Sequence, residues 1–335
     1  MKSRDSNPLE QRVKPPALRP GDTVGIVAPA SDFKRDQFDA GCRELRRLGY
    51  QPFYLPSIFE RDQYFAGSAK RRAREVEEMF EREEVRAIVC ARGGYGCNYL
   101  LQEIDMEIVR RHPKIFVGYS DVTTLLTWFS DATNLVTFHG PMVAKDFAHA
   151  DGVNLASWNV LSGAGQRIEA ADNANVQPLV EGTAEGILYG GCLSMLSASL
   201  GTPYEIQTNG TILFVEDVNT KPFQIDRMLM QLKLAGKLDK VRGVVFGEML
   251  GCVQPGEQPY SLQEVVLRVV GDLEIPVAYG FPSGHVSGDN HTLPFGLQAA
   301  LRVDKAKAQP VQLSFESPVV SRSEASKSIK ASVKR

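Results

Sequence analysis

Short apolar runs that alternate with segments of helical spacing constrain the fold of this chain more than any other feature. Runs that are typical of buried parallel strands lie at residues 23–28, 87–91, 115–118 and 135–138. Between them, apolar side chains at helical spacing predict helices over 34–48, 68–80 and 122–129. This β-α alternation predicts an α/β fold with a doubly wound parallel sheet over about residues 20–145.

The rest of the chain predicts a second, smaller α/β domain. Apolar runs at 211–215 and 243–247 indicate strands, and helical spacing at 225–234 and 262–270 indicates helices. We therefore predict two domains of mixed α/β structure with an active site in the cleft between them. The predicted ranges are a flexible arm at 1–19, an N-terminal domain at 20–150, a linker at 151–180, a C-terminal domain at 181–317 and a disordered tail at 318–335.

Composition narrows the class of function. A chain of 335 residues with a formal net charge of -2 fits two domains and argues against a nucleic-acid partner. Its five cysteines include no C-x-x-C pair, which argues against a zinc site or a disulfide framework and fits a reducing compartment. The chain shows neither a secretory signal nor a long apolar span, so we expect a cytoplasmic protein with no membrane partner.

The first candidate for catalysis is GYSD at 118–121, which follows a predicted strand and precedes a predicted helix. A sharp turn of this kind can expose a serine hydroxyl and direct the next backbone N–H at a reacting oxygen. Gly118 would relieve crowding there, but position 122 is valine, so the elbow pattern G-x-S-x-G is half met. Ser120 or Asp121 could equally be a simple helix cap, and the pattern leaves both interpretations open.

The second candidate is the glycine-rich loop RGGYG at 92–96, after another predicted strand. It lacks the last glycine of a dinucleotide fingerprint, and the chain contains no phosphate-binding P-loop, so we expect no cofactor. Because ligands bind at the carboxyl ends of parallel strands, this loop and Ser120 could lie side by side. The loop could equally be a tight turn with no ligand.

Acidic and histidine residues supply the remaining candidates. Glu216 and Asp217 follow an apolar strand directly, where they could serve catalysis or cap a turn. His285 lies in a Gly/Pro-rich loop, His291 follows six residues later, and His139 follows the strand that ends at Phe138. Spacing alone does not rank these three histidines as a general base.

Taken together, the motifs resemble one family, the LD-carboxypeptidases, a serine peptidase family that also holds the microcin C self-immunity peptidases. The motifs that carry the resemblance are GDTV at 21–24, APAS at 28–31, RGGYG at 92–96, GYSD at 118–121, FHGPM at 138–142, GGCLS at 190–194, LFVED at 213–217, IDRML at 225–229 and GH at 284–285. They cover about residues 20–305, and both tails lie outside the resemblance.

The resemblance implies a Ser-His-Glu triad. In this sequence Ser120 would be the nucleophile, His285 the general base and Glu216 the residue that orients it. The backbone N–H groups of Gly93 and Asp121 would form the oxyanion hole. Substrate binding would fall to Arg92, Gly94 and Tyr95, with Arg92 a partner for a terminal carboxylate by its charge.

The resemblance also implies the reaction. It predicts removal of the terminal D-alanine from peptidoglycan tetrapeptides during cell-wall recycling, by a homodimer that needs no metal or cofactor. The triad alone does not exclude a microcin C-type immunity peptidase that cleaves aminoacyl-nucleotide conjugates. The sequence also leaves open a non-catalytic protein that binds a small ligand in its cleft, and an esterase of the α/β-hydrolase type.

Overall fold

A computed structural model describes residues 12–163, 167–169, 176–254, 256 and 259–324. The strands are β1 (Thr23–Val27), β2 (Gln51–Phe53), β3 (Val85–Cys90), β4 (Ile115–Gly118), β5 (Thr137–His139), β6 (Arg167–Glu169), β7 (Gln177–Val180), β8 (Gly182–Cys192), β9 (Thr211–Glu216), β10 (Gly243–Gly247), β11 (Val277–Phe281), β12 (Leu293–Phe295), β13 (Leu297–Val303) and β14 (Val311–Phe315). The α-helices are α1 (Arg35–Arg47), α2 (Ala69–Glu81), α3 (Met106–Arg111), α4 (Thr123–Thr133), α5 (Leu155–Trp158), α6 (Leu193–Ala198), α7 (Pro222–Leu234) and α8 (Leu262–Val270).

The first sheet is the predicted doubly wound sheet. Five parallel strands lie in the order β5-β4-β3-β1-β2. Residues of β3 and β4 are almost all buried, because a central parallel strand is covered by helices on both faces. The carboxyl ends of β1, β3 and β4 lie at one edge of this sheet, which places the loops that follow them together.

The helices of the first half follow from spacing and caps. Helix α1 buries Phe38, Cys42 and Leu45 on one face, as the spacing predicts. Helix α2 begins after Ser68, whose hydroxyl accepts the N–H of Arg71 at 3.3 Å. The apolar face thus sets which side of α1 is buried, and the cap at Ser68 sets where α2 begins.

The second sheet is mixed. Its order is β6-β14-β13-β8-β9-β10-β11-β7, with β8 to β11 parallel and the outer pairs antiparallel. One face packs against α6, α7 and α8 through side chains such as Leu213 and Val266. The other face, with Leu188 and Phe214, belongs to the same hydrophobic core as the first sheet. The two halves therefore share one hydrophobic core.

One strand crosses between the halves. Strand β12 lies in the range predicted for the C-terminal domain, yet it pairs antiparallel with β5 at the edge of the first sheet, with Leu293 opposite His139. The segment 282–292 that leads into it carries His285. This crossing ties the loop of His285 to the first sheet.

The ends of the described chain are packed where the sequence predicts mobility. Residues 12–19 belong to the predicted flexible arm, but Leu18 is fully buried, and Ala17 N–H donates to Val320 O at 2.9 Å. Val319, in the predicted disordered tail, is also buried. Backbone hydrogen bonds join the two segments, which a composition argument on each segment alone does not detect. Residues 1–11 and 325–335, the remainder of those two predictions, lie outside the described residues.

The predicted linker also contains packed residues. Trp158 is buried with its ring 5.0 Å from that of Phe147, and Leu161 is buried beside it. Strand β7 begins within the predicted linker at Gln177. Polar composition at 150–180 thus conceals a short helical segment that packs on the first half.

Two further features concern the whole described chain. All five cysteines are buried and none is in a disulfide. Within the described ranges, no helix has both the length and the apolar character needed to cross a lipid bilayer.

Candidate active site

Ser120 lies on a sharp turn between β4 and α4. It begins a one-turn helix at Ser120–Val122 and has φ of +63°, in the left-handed region that non-glycine residues rarely adopt. A strained residue at a strand-to-helix turn is typical of an exposed nucleophile, because the strain is offset by the packed elements on either side. The half-met elbow pattern of the sequence therefore forms a true elbow.

Gly118 and Val122 explain why the second elbow glycine is dispensable. A Cβ on Gly118 would lie 2.7 Å from Cγ1 of Val122, closer than any normal contact. The valine fills the space that the glycine leaves open. Crowding at this turn is thus relieved at position 118 alone, as the sequence predicts.

The glycine-rich loop after β3 lies against the elbow. A Cβ on Gly93 would come within 2.8 Å of the Ser120 Cβ and 3.1 Å of its Oγ, so only glycine permits this approach. The N–H of Asp121 is one of those that the first turn of a helix leaves without an internal acceptor. Both predicted oxyanion donors are therefore adjacent to Ser120.

The side chain of Asp121 has a separate structural task. Its Oδ2 accepts the backbone N–H of Cys97 at 2.7 Å, which ties the glycine-rich loop to the elbow. Burial raises the pKa of this carboxyl, and the N–H of Cys97 partly offsets that effect. The backbone and side chain of Asp121 thus act on different partners.

The predicted substrate-binding residues lie on the same loop. Tyr95 is exposed, and its N–H donates to the Ser31 hydroxyl at 3.1 Å. Gly94 has φ of +108°, and a Cβ there would overlap Ser31. Arg92 is exposed and donates from Nη1 to the Asp32 carbonyl at 2.9 Å, which directs it at the segment after β1. The sequence marks Ser31 only as part of a motif, and its role as an anchor of this loop was not predicted.

Glu216 and His285 form a pair across the second half. Glu216 ends β9 and is fully buried, and its Oε2 accepts from His285 Nδ1 at 2.6 Å and from His285 N–H at 3.1 Å. Gly284 has φ of +92°, and a Cβ there would lie 2.7 Å from the carboxyl carbon of Glu216. The glycine before His285 is therefore needed both for its backbone angle and for space.

Glu216 and His285 stabilise each other's charged forms. Burial alone would raise the pKa of Glu216, but His285 and the nearby His139 lower it to about 2. Burial alone would lower the pKa of His285, but the carboxylate of Glu216 outweighs burial and raises it. Because Glu216 accepts from Nδ1, the Nε2 of a neutral His285 is left free to accept a proton.

The two halves of the candidate site meet through neighbours of Ser120. The ring of Tyr119 packs edge-on against the His285 ring at 5.1 Å between centroids. Thr123, just after the elbow, accepts the N–H of Cys192 through its hydroxyl at 3.0 Å. The residues on either side of Ser120 thus contact the second half of the chain, Tyr119 at His285 and Thr123 at Cys192.

The structure separates the three histidines that spacing left equal. His285 bonds Glu216, His139 is buried with Nε2 at 3.8 Å from Glu216 Oε1, and His291 contributes its backbone carbonyl, which accepts from the Ser283 hydroxyl at 2.7 Å. Sequence reasoning did not connect Ser283 or Asn290 to the site. Asn290 accepts the N–H of Gly284 at 2.9 Å and so shapes the loop of His285. Their place in the polar loop around His285, at 282–291, was the signal available for them.

Within the described part of the chain, no group of three or more His, Cys, Asp or Glu side chains is arranged to hold a metal ion.

Family models match both halves of the chain. A model of the LD-carboxypeptidase N-terminal domain matches residues 24–140, and a model of the LD-carboxypeptidase C-terminal domain matches residues 185–301. The chain belongs to the LD-carboxypeptidase family. The family predicted from the motifs is confirmed, and with it the prediction that the chain is an enzyme.

Individual relatives agree with this family. A probable murein peptide carboxypeptidase of Bacillus subtilis (strain 168) is 40% identical over 301 residues, which covers 88% of this chain and 93% of the relative. The structure of the microcin C7 self-immunity protein MccF in complex with aspartyl sulfamoyl adenosine matches with a TM-score of 0.84 and 26% identity, over 92% of this chain and 100% of MccF. A muramoyltetrapeptide carboxypeptidase from Oxalobacter formigenes matches with a TM-score of 0.76 and 28% identity, over 89% of this chain and 100% of its own. The predicted α/β architecture is confirmed by these structures.

Proposed function

We propose that this protein is a serine carboxypeptidase that hydrolyses the L,D peptide bond and releases the terminal D-alanine from peptidoglycan tetrapeptides. The observation that supports it most is the 2.6 Å bond between Glu216 and His285, whose ring packs against Tyr119, the residue before the strained Ser120 elbow. The name of the 40% identical relative supports a murein peptide as the substrate.

The mechanism is acyl transfer through Ser120. His285 takes the hydroxyl proton on Nε2 as Ser120 attacks the scissile carbonyl, and Glu216 holds the imidazole and offsets its new charge. The N–H groups of Gly93 and Asp121 bind the oxyanion. D-Alanine leaves with the proton from His285, and water that His285 activates then releases the acyl group from Ser120.

Substrate recognition falls to the glycine-rich loop. Arg92 uses Nη1 on the Asp32 carbonyl, which leaves its other N–H groups for the terminal carboxylate of the peptide. Tyr95, exposed beside it, contacts the peptide. We further propose that the protein is a homodimer and that it acts in the cytoplasm during cell-wall recycling.

Mass spectrometry of a murein tetrapeptide incubated with the protein tests the proposal. The wild type should remove one alanine mass, and Ser120→Ala should lose activity by about 10³- to 10⁶-fold, because the nucleophile is gone while the fold remains. Circular dichroism of Ser120→Ala is the control for folding. Loss of alanine with both proteins would exclude Ser120 as the nucleophile.

A microcin C-type immunity peptidase is the second candidate. The higher TM-score, 0.84, belongs to MccF with an aminoacyl sulfamoyl adenosine, against 0.76 for the muramoyltetrapeptide carboxypeptidase. The same assay with aspartyl sulfamoyl adenosine distinguishes the two. Cleavage of that conjugate by a folded wild type that leaves the tetrapeptide intact would replace the first proposal with the second.

A further inference from the structure

Two buried polar atoms face each other behind the Glu–His pair. Oε1 of Glu216 and Nε2 of His139 are both fully buried, and neither has a hydrogen-bond partner among the described residues. They lie 3.8 Å apart, beyond a normal hydrogen bond but within reach of a small movement. Unpartnered polar atoms in a protein interior are rare and call for an explanation, and here the two atoms could satisfy each other.

The imidazole of His139 is held firmly in this position. It lies at the end of β5, where the antiparallel strand β12 covers it. Its ring packs between those of Phe214 and Phe295, at 5.1 and 5.3 Å between centroids. Its Nδ1 lies 3.0 Å from the Ser283 hydroxyl, so both ring nitrogens have a fixed direction.

Electrostatics selects which ring nitrogen carries the proton. Burial lowers the pKa of His139, although Glu216 partly offsets this, so the ring is neutral near pH 7 and has one N–H. With that proton on Nδ1, the Nε2 lone pair would face a buried carboxylate oxygen, and two acceptors would repel each other. With the proton on Nε2, an N–H faces the carboxylate oxygen Oε1, and the single hydroxyl proton of Ser283 must turn from the His291 carbonyl to Nδ1. A hydrogen bond to a charged group is worth more than the neutral hydroxyl–carbonyl bond given up, so this arrangement is favoured. The second arrangement satisfies the otherwise unpartnered pair.

We propose that His139 is a positioning residue that carries its proton on Nε2, directs it at Oε1 of Glu216 and thereby holds Oε2 on Nδ1 of His285. Glu216 then lies between two imidazoles, one that moves a proton during the reaction and one that does not. Ser283 anchors the second imidazole from the far side. This inference rests on the proposed catalytic role of Glu216 and His285, and it adds a residue that acts through Glu216.

Loss of this N–H has a defined electrostatic consequence. A carboxylate that loses one donor becomes a stronger acceptor for its remaining partner, so the pKa of His285 should rise in its absence. The other titratable groups that influence Glu216, His139 or His285 are unchanged by a substitution at His139; they are Tyr119, Lys145, Cys192, Asp217 and Cys252. The sign of the shift is therefore set by the lost donor.

Nitrogen-15 NMR of the histidine side chains tests the proton position without any assay of activity. The full chain has five histidines, so the signals of His139 are assigned by their disappearance in His139→Phe. We expect the Nε2–H tautomer for His139 in the wild type near pH 7. An Nδ1–H tautomer would overturn the proposal even if the protein is a fully active peptidase.

Kinetics and titration of His285 test the positioning role. His139→Phe keeps an aromatic ring but has no N–H. We expect kcat to fall about tenfold to a hundredfold at unchanged KM, the range typical of losing a residue that orients a functional side chain from behind. The acid limb of the pH profile of kcat should move to higher pH. His139→Gln, whose amide N–H can face Oε1, should recover most of kcat and return the limb to its wild-type position.

Phe295→Leu is the matched control, since it loosens the packing on the His139 ring and leaves its N–H in place. Equal losses of kcat in His139→Phe and Phe295→Leu, with no change in the acid limb of the pH profile, would mean that His139 acts through packing alone. Should His139→Phe fail to fold, the comparison of His139→Gln with His139→Leu replaces it. If the wild type leaves murein tetrapeptides intact, the NMR titration of His285 in wild type and variant still decides this proposal, separately from the proposed function.

Discussion

Ser120 and the Glu216–His285 pair differ in the length of chain that positions them. Ser120 is set by a few neighbouring residues, from Gly118 to Val122, at the end of one strand. Glu216 and His285 are 69 residues apart in sequence. They meet because β9, which ends at Glu216, and β11, which leads into the loop of His285, belong to the same sheet. The elbow stores backbone strain, whereas the pair stores electrostatic free energy in a buried carboxylate.

The difference has a practical meaning for mutation. A change at the elbow should act through backbone geometry, and its effect should appear in stability as well as in activity. A change in the pair should act through proton position, and its effect should appear in rate and pH dependence. Substitutions in both regions test this division.

After removal of the nucleophile itself, the largest effect should come from Glu216→Gln. The amide keeps the size of the side chain but can donate to His285 Nδ1, which favours the wrong tautomer, so kcat should fall by about 10²- to 10⁴-fold. Steady-state kinetics measures the loss. Asp217→Asn is the matched control, because Asp217 is also a buried carboxylate at this strand end but accepts from Ser194 instead of His285. Equal losses in both variants would mean that Glu216 does not orient the histidine.

Gly118→Ala should break the elbow by crowding. The new Cβ would lie 2.7 Å from Val122 Cγ1, and such overpacking costs about 1–3 kcal/mol of stability. Urea denaturation measures the loss, and Val122→Ala in the same chain should restore part of it. A double-mutant cycle with no coupling between the two positions would contradict the packing argument.

The Glu216–His285 pair should set the acid limb of the pH profile of activity. Because Glu216 raises the pKa of His285, the neutral base is lost as pH falls through a value above the ordinary 6.5, and kcat/KM should fall with it. In Glu216→Gln burial and Lys145 lower the pKa of His285 and only the weaker influence of Asp217 raises it, so the midpoint should move to lower pH. A pH profile of both proteins checks this. A midpoint that moves upward in the variant would show that Glu216 does not stabilise the charged imidazole.

Local patterns predicted the first half of the site better than the second. The strand, glycine and helix around Ser120 lie within a few residues, so their periodicity and spacing predicted a candidate elbow. His139 could not be placed in the same way, because its contact with Glu216 depends on how two sheets pack. Strand β12 lies in the range predicted for the C-terminal domain, and its pairing with β5 likewise depends on how the two sheets pack. The roles of Glu216 and His285 came from the family resemblance rather than from the residue pattern.

The smallest effect should be a gain in stability at the elbow. Ser120 has φ of +63°, a conformation that costs an L-residue about 1–2 kcal/mol and costs glycine little. Ser120→Gly should therefore be about 1 kcal/mol more stable than Ser120→Ala, after the greater freedom of glycine in the unfolded chain is subtracted. Thermal and urea denaturation of the two inactive variants measures the difference. Ala40→Gly, within helix α1, is the control of opposite sign, since glycine in a helix costs about 1 kcal/mol. If glycine destabilises both sites alike, the elbow holds no strain, and the contrast between a strained nucleophile and an electrostatically held pair is lost.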